Sequence, residues 1–271
     1  MSMKKPMVFY KMEASGNDFV VVDNRKKAVR DVVKFTRAIC DRHKGVGADG
    51  VLFIESSRKA DFKMRIVNAD GSEAEMCGNG SRCVALYAHE VMKLPSKFLM
   101  ETLAGLIGAD VKKQTVRVKL SDPKDFKPRG LLNADGTDWQ YYSVNTGVPH
   151  AVIFVEDIAN FPVQNIGEKI RYHEHFKPAG TNVNFVQVTD KNAVSVRTYE
   201  RGVGETQACG TGVTASALIS AVSGRTRPPV KVKTLGGDIL TVDFKLDSSG
   251  VRDVYLEGKA NFIYKGTLSH D

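Results

Sequence analysis

Features that would settle the class of this chain quickly are scarce in its sequence. It has 271 residues, with four cysteines and a single tryptophan. Four thiols in a chain of this length do not make a disulfide scaffold, and a reducing compartment would keep them as thiols. None forms a CxxC pair, and the gap between Cys77 and Cys83 is poor zinc-finger spacing, so no structural metal is expected. No apolar run approaches the roughly 18–20 residues of a membrane span. The start, MSMKKPMVFYKMEAS, lacks the hydrophobic core of a secretory signal. The expectation is a cytoplasmic protein with no membrane partner.

The apolar and charged fractions, 42% and 26%, are those of an ordinary globular protein. The net charge of +8 raises nucleic-acid binding as a reading. The basic residues fall in short scattered groups, such as NRKK (24–27) and VKK (111–113), without interleaved aromatics. They read as solvated surface, or as a mild positive field that draws in a small anionic substrate. His173 and His175, in HEH, have no third ligand in sight and read as surface.

What is present is a repeat. Sliding Arg65–Leu86 by 132 residues onto Arg197–Leu218 gives seven identities in 22 gapless pairs. They are Arg65/Arg197, Glu73/Glu205, Cys77/Cys209, Gly78/Gly210, Gly80/Gly212, Ala85/Ala217 and Leu86/Leu218. The same offset lays DGVLFI (49–54) on TNVNFV (181–186) and matches Val51 with Val183 and Phe53 with Phe185. Internal self-similarity of this kind predicts two related domains. Each half reads as β-rich, from runs such as FVVVD, FKMRIVN, HAVIFVE and ILTVDFKL. Each has one principal helix after a Cys-Gly-x-Gly turn: SRCVALYAHEVMKL, stopping before Pro95, and VTASALISAV, stopping at Ser223-Gly224. Both helices are apolar nearly all round, which predicts burial inside a wrapped sheet. The fold class expected is therefore α/β (α+β), with two pseudo-symmetric domains, each a mostly antiparallel sheet around a central helix. Residues 1–127, with a returning strand in 259–271, form the first domain and 128–258 the second. The polar, twice-proline stretch SDPKDFKPRG (121–130) reads as the link.

The chemistry lies in the two cysteine turns. Only a thiolate is a useful base, and a helix N-terminus lowers a thiol pKa through its unpaired amides. Cys77 and Cys209 both sit where a turn enters a helix. Glycines at 78, 80, 210 and 212 let backbone N–H groups converge into a nest suited to a carboxylate. Two such copies meeting across a cleft suit inversion at a carbon: one thiolate removes the α-proton while the other thiol donates from the opposite face. Cys40 and Cys83 read as core. GVGADG (45–50) fits G-x-G-x-x-G, yet it follows a helix-like run and opens a strand, the reverse of the dinucleotide-binding order.

MEASGNDFVVVDN, RIVNADGSEAEMCGNGSRC, NTGVPHAV and YERGVGETQACGTGVTA together resemble the diaminopimelate epimerase family, over essentially the whole chain. That resemblance implies a cofactor-independent isomerase of lysine and peptidoglycan-precursor biosynthesis, interconverting LL- and meso-diaminopimelate. It implies no pyridoxal phosphate, no metal, and a homodimer with a small-molecule amino-acid substrate. It implies Cys77 and Cys209 as the acid/base pair, with His150 and Glu200 as their polar partners. Asn17 corresponds to a substrate-binding asparagine, and Gly78-Asn79 and Gly210-Thr211 to the amides that hold the reacting carboxylate. Asn68, Asn182 and Glu200-Arg201 correspond to the group recognising the distal amino-acid end. Two positions depart from the family pattern: Gly50 stands where glutamine is common, and Val148 where asparagine often precedes Pro-His. Both losses remove a polar contact to substrate. A racemase of histidine, proline or glutamate on the same scaffold remains an alternative. So does a redox module joined by a Cys77–Cys209 disulfide.

Overall fold

A computed structural model of the chain describes residues 6–268. Residues 1–5 and 269–271, assigned above to the first domain, lie outside the described residues. In chain order the strands and helices begin with β1 (Met7–Ala14), β2 (Asn17–Asp23), α1 (Val32–Cys40), β3 (Gly50–Glu55) and β4 (Phe62–Asn68). Next come β5 (Glu73–Ala74), α2 (Gly78–Glu90), β6 (Lys97–Thr102), β7 (Gly105–Lys112) and β8 (Thr115–Lys119). The chain continues with β9 (Lys124–Ala134), β10 (Thr137–Asn145), β11 (Pro149–Phe154), α3 (Val163–Arg171), β12 (Asn182–Asp190) and β13 (Ala193–Glu200). It ends with β14 (Gly204–Thr206), α4 (Gly210–Val222), β15 (Val230–Lys233), β16 (Ile239–Asp247), β17 (Gly250–Lys259) and β18 (Asn261–Leu268).

The chain divides into two compact units. One runs to Val118 and takes up the chain again from Gly258; the other is Lys119–Glu257. The first boundary therefore falls before the stretch read as a link. Within that stretch, Lys124, Lys127 and Gly130 belong to β9 and pair with Asn145, Ser143 and Tyr141 of β10. The ladder is irregular there, with register shifts on either side of Ser143. Proline is tolerated in such an irregular outer strand, so most of the stretch read as a link is strand.

Inside each unit the connectivity is the same. In the first, β18 and β1, β1 and β2, and β3 and β4 pair antiparallel, while β2 and β3, and β4 and β6, pair parallel. In the second, the matching steps are β9–β10, β10–β11 and β12–β13 antiparallel, with β11–β12 and β13–β15 parallel. Each parallel step is bridged by a helix, α1 and α2 in one unit, α3 and α4 in the other. The 13-residue helices α2 and α4 contact strands across the breadth of their own sheet. Gly78 to Ala88 are all buried in α2, as are Gly212 to Ala221 in α4. A helix buried on every side has no solvent face to offer, and wrapping it in sheet removes all of it from water, the buried Arg82 of α2 being satisfied by hydrogen bonds.

The shorter helices cover the outer faces. α1 starts at the Asp31 cap, whose carboxylate accepts from the Lys34 N–H at 2.9 Å, and buries Val32, Thr36, Ile39 and Cys40. α3 buries Val163, Ile166, Gly167 and Ile170, a helical spacing, against Val183, Phe185 and Tyr199. The helix-like run ending at Cys40 is α1, whereas the short amphipathic α3 of the second unit has no counterpart in the sequence reading. β12, with helices on both sides, buries Asn182 through Val186 without alternation.

The repeated Arg and Glu positions form the same ion pair in each unit. Arg65 forms a bidentate bridge to Glu73, with Nε–Oε1 and Nη2–Oε2 both 2.8 Å. Arg197 does the same to Glu205 at 2.6 and 3.0 Å, and its Nη1 donates to the carbonyls of Ile158, Ala159 and Phe161. Each pair fastens a very short strand, β5 or β14, to its neighbour. Only Glu75-Met76 and Gln207-Ala208 then separate those strands from the two cysteines.

Candidate active site

In the first unit, Cys77 is the N-cap of α2, extended at φ −141° and ψ 116°, and its Sγ accepts from the Gly80 N–H at 3.4 Å. Cysteine is a poor N-cap by preference, so its use here at both helices points to the sulfur itself. Asn79, in the first turn, donates to the Asn17 side-chain oxygen at 2.6 Å. Asn17, at the start of β2, donates in turn to Asp49 at 3.0 Å. The Asn79 oxygen accepts from the fully buried Arg82 at 2.9 Å, and Arg82 also reaches Ser15 at 2.8 Å. The sequence reading placed Asn17 and Asn79 near the thiol; the structure joins them to each other and adds Asp49 and Arg82 behind them. Asn68 is brought to none of these residues. It ends β4, exposed, and donates to Ser72 at 3.0 Å across a turn.

The second unit repeats the cap. Cys209 is extended at φ −119° and ψ 111°, and its Sγ accepts from the Gly212 N–H at 3.4 Å. The Thr211 hydroxyl lies 3.4 Å from the same sulfur, and the Thr211 carbonyl accepts from Thr146 at 3.0 Å. Here the expected fall in thiol pKa does not occur. Burial first, and then the adjacent Glu200 carboxylate, hold Cys209 well above the ordinary cysteine value. The Thr211 hydroxyl and the Gly212 amide oppose that rise and do not overcome it. Cys209 therefore rests as a thiol. Glu200 is fixed by the Thr206 hydroxyl at 2.6 Å. Asn182 accepts the Arg201 backbone N–H at 2.9 Å, which ties the distal-end candidates of β12 and β13 together, while the Arg201 side chain donates to Ala179 O at 3.2 Å.

His150 is fully buried at the start of β11. Burial first, and the Arg201 charge second, lower its pKa to about 3, so the ring is neutral. Asn184 Nδ2 lies 3.0 Å from His150 Nδ1 and donates to Ala151 O at 3.1 Å, while its oxygen accepts from Thr198 at 3.0 Å. Asn184, Thr198 and Thr206 escaped the sequence reading because a polar residue in a strand reads as facing solvent.

The two turns use glycine for closeness rather than for unusual torsion. A Cβ on Gly212 would lie 2.4 Å from Asn184 Oδ1, and one on Gly80 would lie 3.0 Å from Leu52 Cδ2. Gly50, the first departure from the family pattern, is equally confined, since a Cβ there would lie 2.7 Å from the Val67 carbonyl oxygen. Val148, the second, is half-buried, and its carbonyl accepts from Thr146 N at 3.2 Å. Cys40 and Cys83 are core: burial raises Cys40 to about 11 and pushes Cys83 higher still.

The sequence model of the diaminopimelate epimerase family matches residues 9–124 and 142–263. The chain belongs to the diaminopimelate epimerase family. The unmatched stretch between the two segments holds most of the β9–β10 hairpin. A diaminopimelate epimerase from Aquifex aeolicus (strain VF5) is 44% identical over 278 residues, covering 98% of this chain and 99% of its own. One from Caldanaerobacter subterraneus subsp. tengcongensis is 42% identical over 280 residues, covering 97% and 99%. Solved structures share the fold at low identity. A PhzF-family phenazine biosynthesis protein of Bacillus anthracis has a TM-score of 0.72 at 16% identity, covering 98% of this chain and 99% of its own. A hydroxyproline epimerase of Agrobacterium vitis, solved with bound trans-4-hydroxy-L-proline, has a TM-score of 0.69 at 17% identity, covering 99% and 92%. As a member of the diaminopimelate epimerase family, the protein is an isomerase. Among its described residues no helix is long and apolar enough to cross a membrane.

Proposed function

We propose that this chain interconverts LL- and meso-diaminopimelate by a two-base reaction that uses Cys77 and Cys209, in the supply of lysine and peptidoglycan precursors. The observation that carries the reading is the paired cap: each cysteine heads a buried helix, with its sulfur against the first-turn amides. In one direction Cys77 removes the α-proton as a thiolate. Cys209, held as a thiol by burial and Glu200, delivers a proton to the opposite face. The electron pair left on the α-carbon is delocalised into the carboxylate, which the amides of Gly78-Asn79 and Gly210-Thr211 hold as charge develops. The turnover ends with a proton on Cys77 and a thiolate at Cys209, the state from which the reverse reaction starts. His150 and Glu200 act as polar partners of the thiols, Asn17 steadies the reacting centre, and Asn68, Asn182 and Glu200-Arg201 receive the distal amino and carboxylate groups. The reading also carries a cytoplasmic homodimer.

LL-diaminopimelate incubated with the enzyme in deuterated water is expected to gain α-deuterium as it is converted to the meso form. Cys77→Ser and Cys209→Ser should each lower kcat by about 10²–10⁴-fold with circular dichroism unchanged. Deuterium exchange into proline, histidine or glutamate, with none into diaminopimelate, would move the assignment to a racemase. Full turnover by both serine variants would remove the thiols from the mechanism and favour a redox role. Sedimentation at working concentration reads the oligomeric state.

A further inference from the structure

The polar chain His150–Asn184–Thr198 has an apolar counterpart inside the same molecule. The 132-residue offset lays Leu52 on Asn184 and Ile66 on Thr198. The parallel ladders pair Phe19 with Gly50 as they pair His150 with Asn182. Phe19, Leu52 and Ile66 are buried, and so are His150, Asn184 and Thr198. The same three scaffold positions are thus filled by hydrocarbon in one unit and by hydrogen-bonding groups in the other. The fold does not require the polar set, and buried polar groups are costly to keep. Their reason lies outside packing.

Their hydrogen bonds supply one. A backbone carbonyl can only accept, so the Asn184 atom 3.1 Å from Ala151 O is the amide nitrogen. The Thr198 hydroxyl meets the other side of the carboxamide, its oxygen, at 3.0 Å. Thus oriented, the Asn184 NH₂ also faces His150 Nδ1 at 3.0 Å, which must present a lone pair there. The neutral ring then carries its proton on Nε2, which is buried and has no partner among the described residues. The Asn184 oxygen occupies the space a Cβ on Gly212 would need, so this brace lies directly under the turn that holds Cys209.

We infer that Asn184, braced by Thr198, is a positioning residue that fixes His150 as the Nε2–H tautomer and reserves that N–H for an acceptor in the cysteine site, where His150 serves as a polar partner of the thiols. The inference rests on the reading of this chain as an amino-acid epimerase with His150 in its site. A carboxamide, unlike a carboxylate, can hold a histidine this way, because it donates to Nδ1 and accepts from Thr198 at once. The ring then acts as a donor of fixed direction and not as a proton shuttle.

The test combines nitrogen NMR with kinetics on the full-length enzyme, ¹⁵N-labelled at histidine. In the wild type, His150 should show a lone-pair Nδ1 and a protonated Nε2, unchanged across the range in which an ordinary histidine titrates. Asn184→Leu copies the residue that packs the matching position of the first unit. It should fold, release the tautomer, and lower kcat on LL-diaminopimelate by about 10–100-fold with KM changed far less. Thr198→Ser keeps the hydroxyl and should retain both the spectrum and kcat, whereas Thr198→Ile should lose part of each. A protonated Nδ1 in the wild type overturns the inference even if Asn184→Leu does not fold. So does wild-type kcat in Asn184→Leu, and either result leaves the two-cysteine reading standing. Failure of the wild type to act on diaminopimelate would overturn that reading instead, while the NMR arm would still decide the tautomer.

Discussion

At the scale of single residues, the two second glycines of the Cys-Gly-x-Gly turns look alike in sequence and differ in surroundings. Alanine gains about 1 kcal/mol over glycine in a helix, and overpacking costs about 1–3 kcal/mol. At Gly80 the obstacle is the far end of Leu52 at 3.0 Å, which can move aside. Gly80→Ala is therefore expected to be near neutral in urea unfolding. At Gly212 the obstacle is the Asn184 oxygen at 2.4 Å, itself held by Thr198. Gly212→Ala should lose about 2 kcal/mol and lower kcat as well. Equal effects at the two positions would contradict the asymmetry. The thiols make a second residue-scale test. Cys77 is half-buried, whereas Cys40, Cys83 and Cys209 are buried and their pKa values are raised. Iodoacetamide at neutral pH should label Cys77 first, read by peptide mass spectrometry. Faster labelling of Cys209 would contradict its description as a resting thiol.

At the scale of elements, the ion pairs that hold β5 and β14 differ in exposure. The Arg197 and Glu205 side chains are 17% and 16% exposed, against 30% and 28% for Arg65 and Glu73. Breaking the more buried pair also strands three carbonyls. Arg197→Met is therefore expected to cost about 2–4 kcal/mol, and Arg65→Met about 0–1 kcal/mol, in chemical unfolding. These elements also show what could be read from sequence and what could not. The seven-identity repeat and the cysteine turns were plain, because identity at a fixed offset needs no structural assumption. α2 and α4 start at Gly78 and Gly210, earlier than the reading from Ser81 and Val213, because glycines that look like helix breakers are demanded by close neighbours. α3 was invisible, since its four buried positions sit among polar residues in only nine. In the site, Cys77 and Cys209 stand out in their turns, whereas His150 and Glu200 are named only through the family resemblance, because a histidine at a strand entrance and a glutamate before a turn read alone as structural. Asn184 and Thr198 do not stand out, because alternation locates the buried face only when one face of a strand is wet, and β12 is covered on both.

At the scale of the whole molecule, the single tryptophan, Trp139, packs on a core cluster of the second unit and so reports on that unit's packing. His150 is neutral there with its pKa at about 3, set by burial and by Arg201, against about 6.5 in the unfolded chain. A depressed folded-state value means that the unfolded state binds more protons between those limits. The contribution is complete above about pH 6.5 and is lost as the pH falls toward 3, by up to about 1.4 kcal/mol per pH unit. The tryptophan-monitored urea midpoint should fall over that window, and His150→Phe, which copies Phe19, should flatten the decline. An unchanged slope would mean that the ring is protonated in the native state. One consequence follows from the two-residue connectors behind Cys77 and Cys209. The span of backbone there works as a ruler: a glycine inserted before either sulfur would spare the helix, the sheet, the ion pair and the sulfur's bond to its own amide, yet shift the whole cap one notch from the short strand that anchors it.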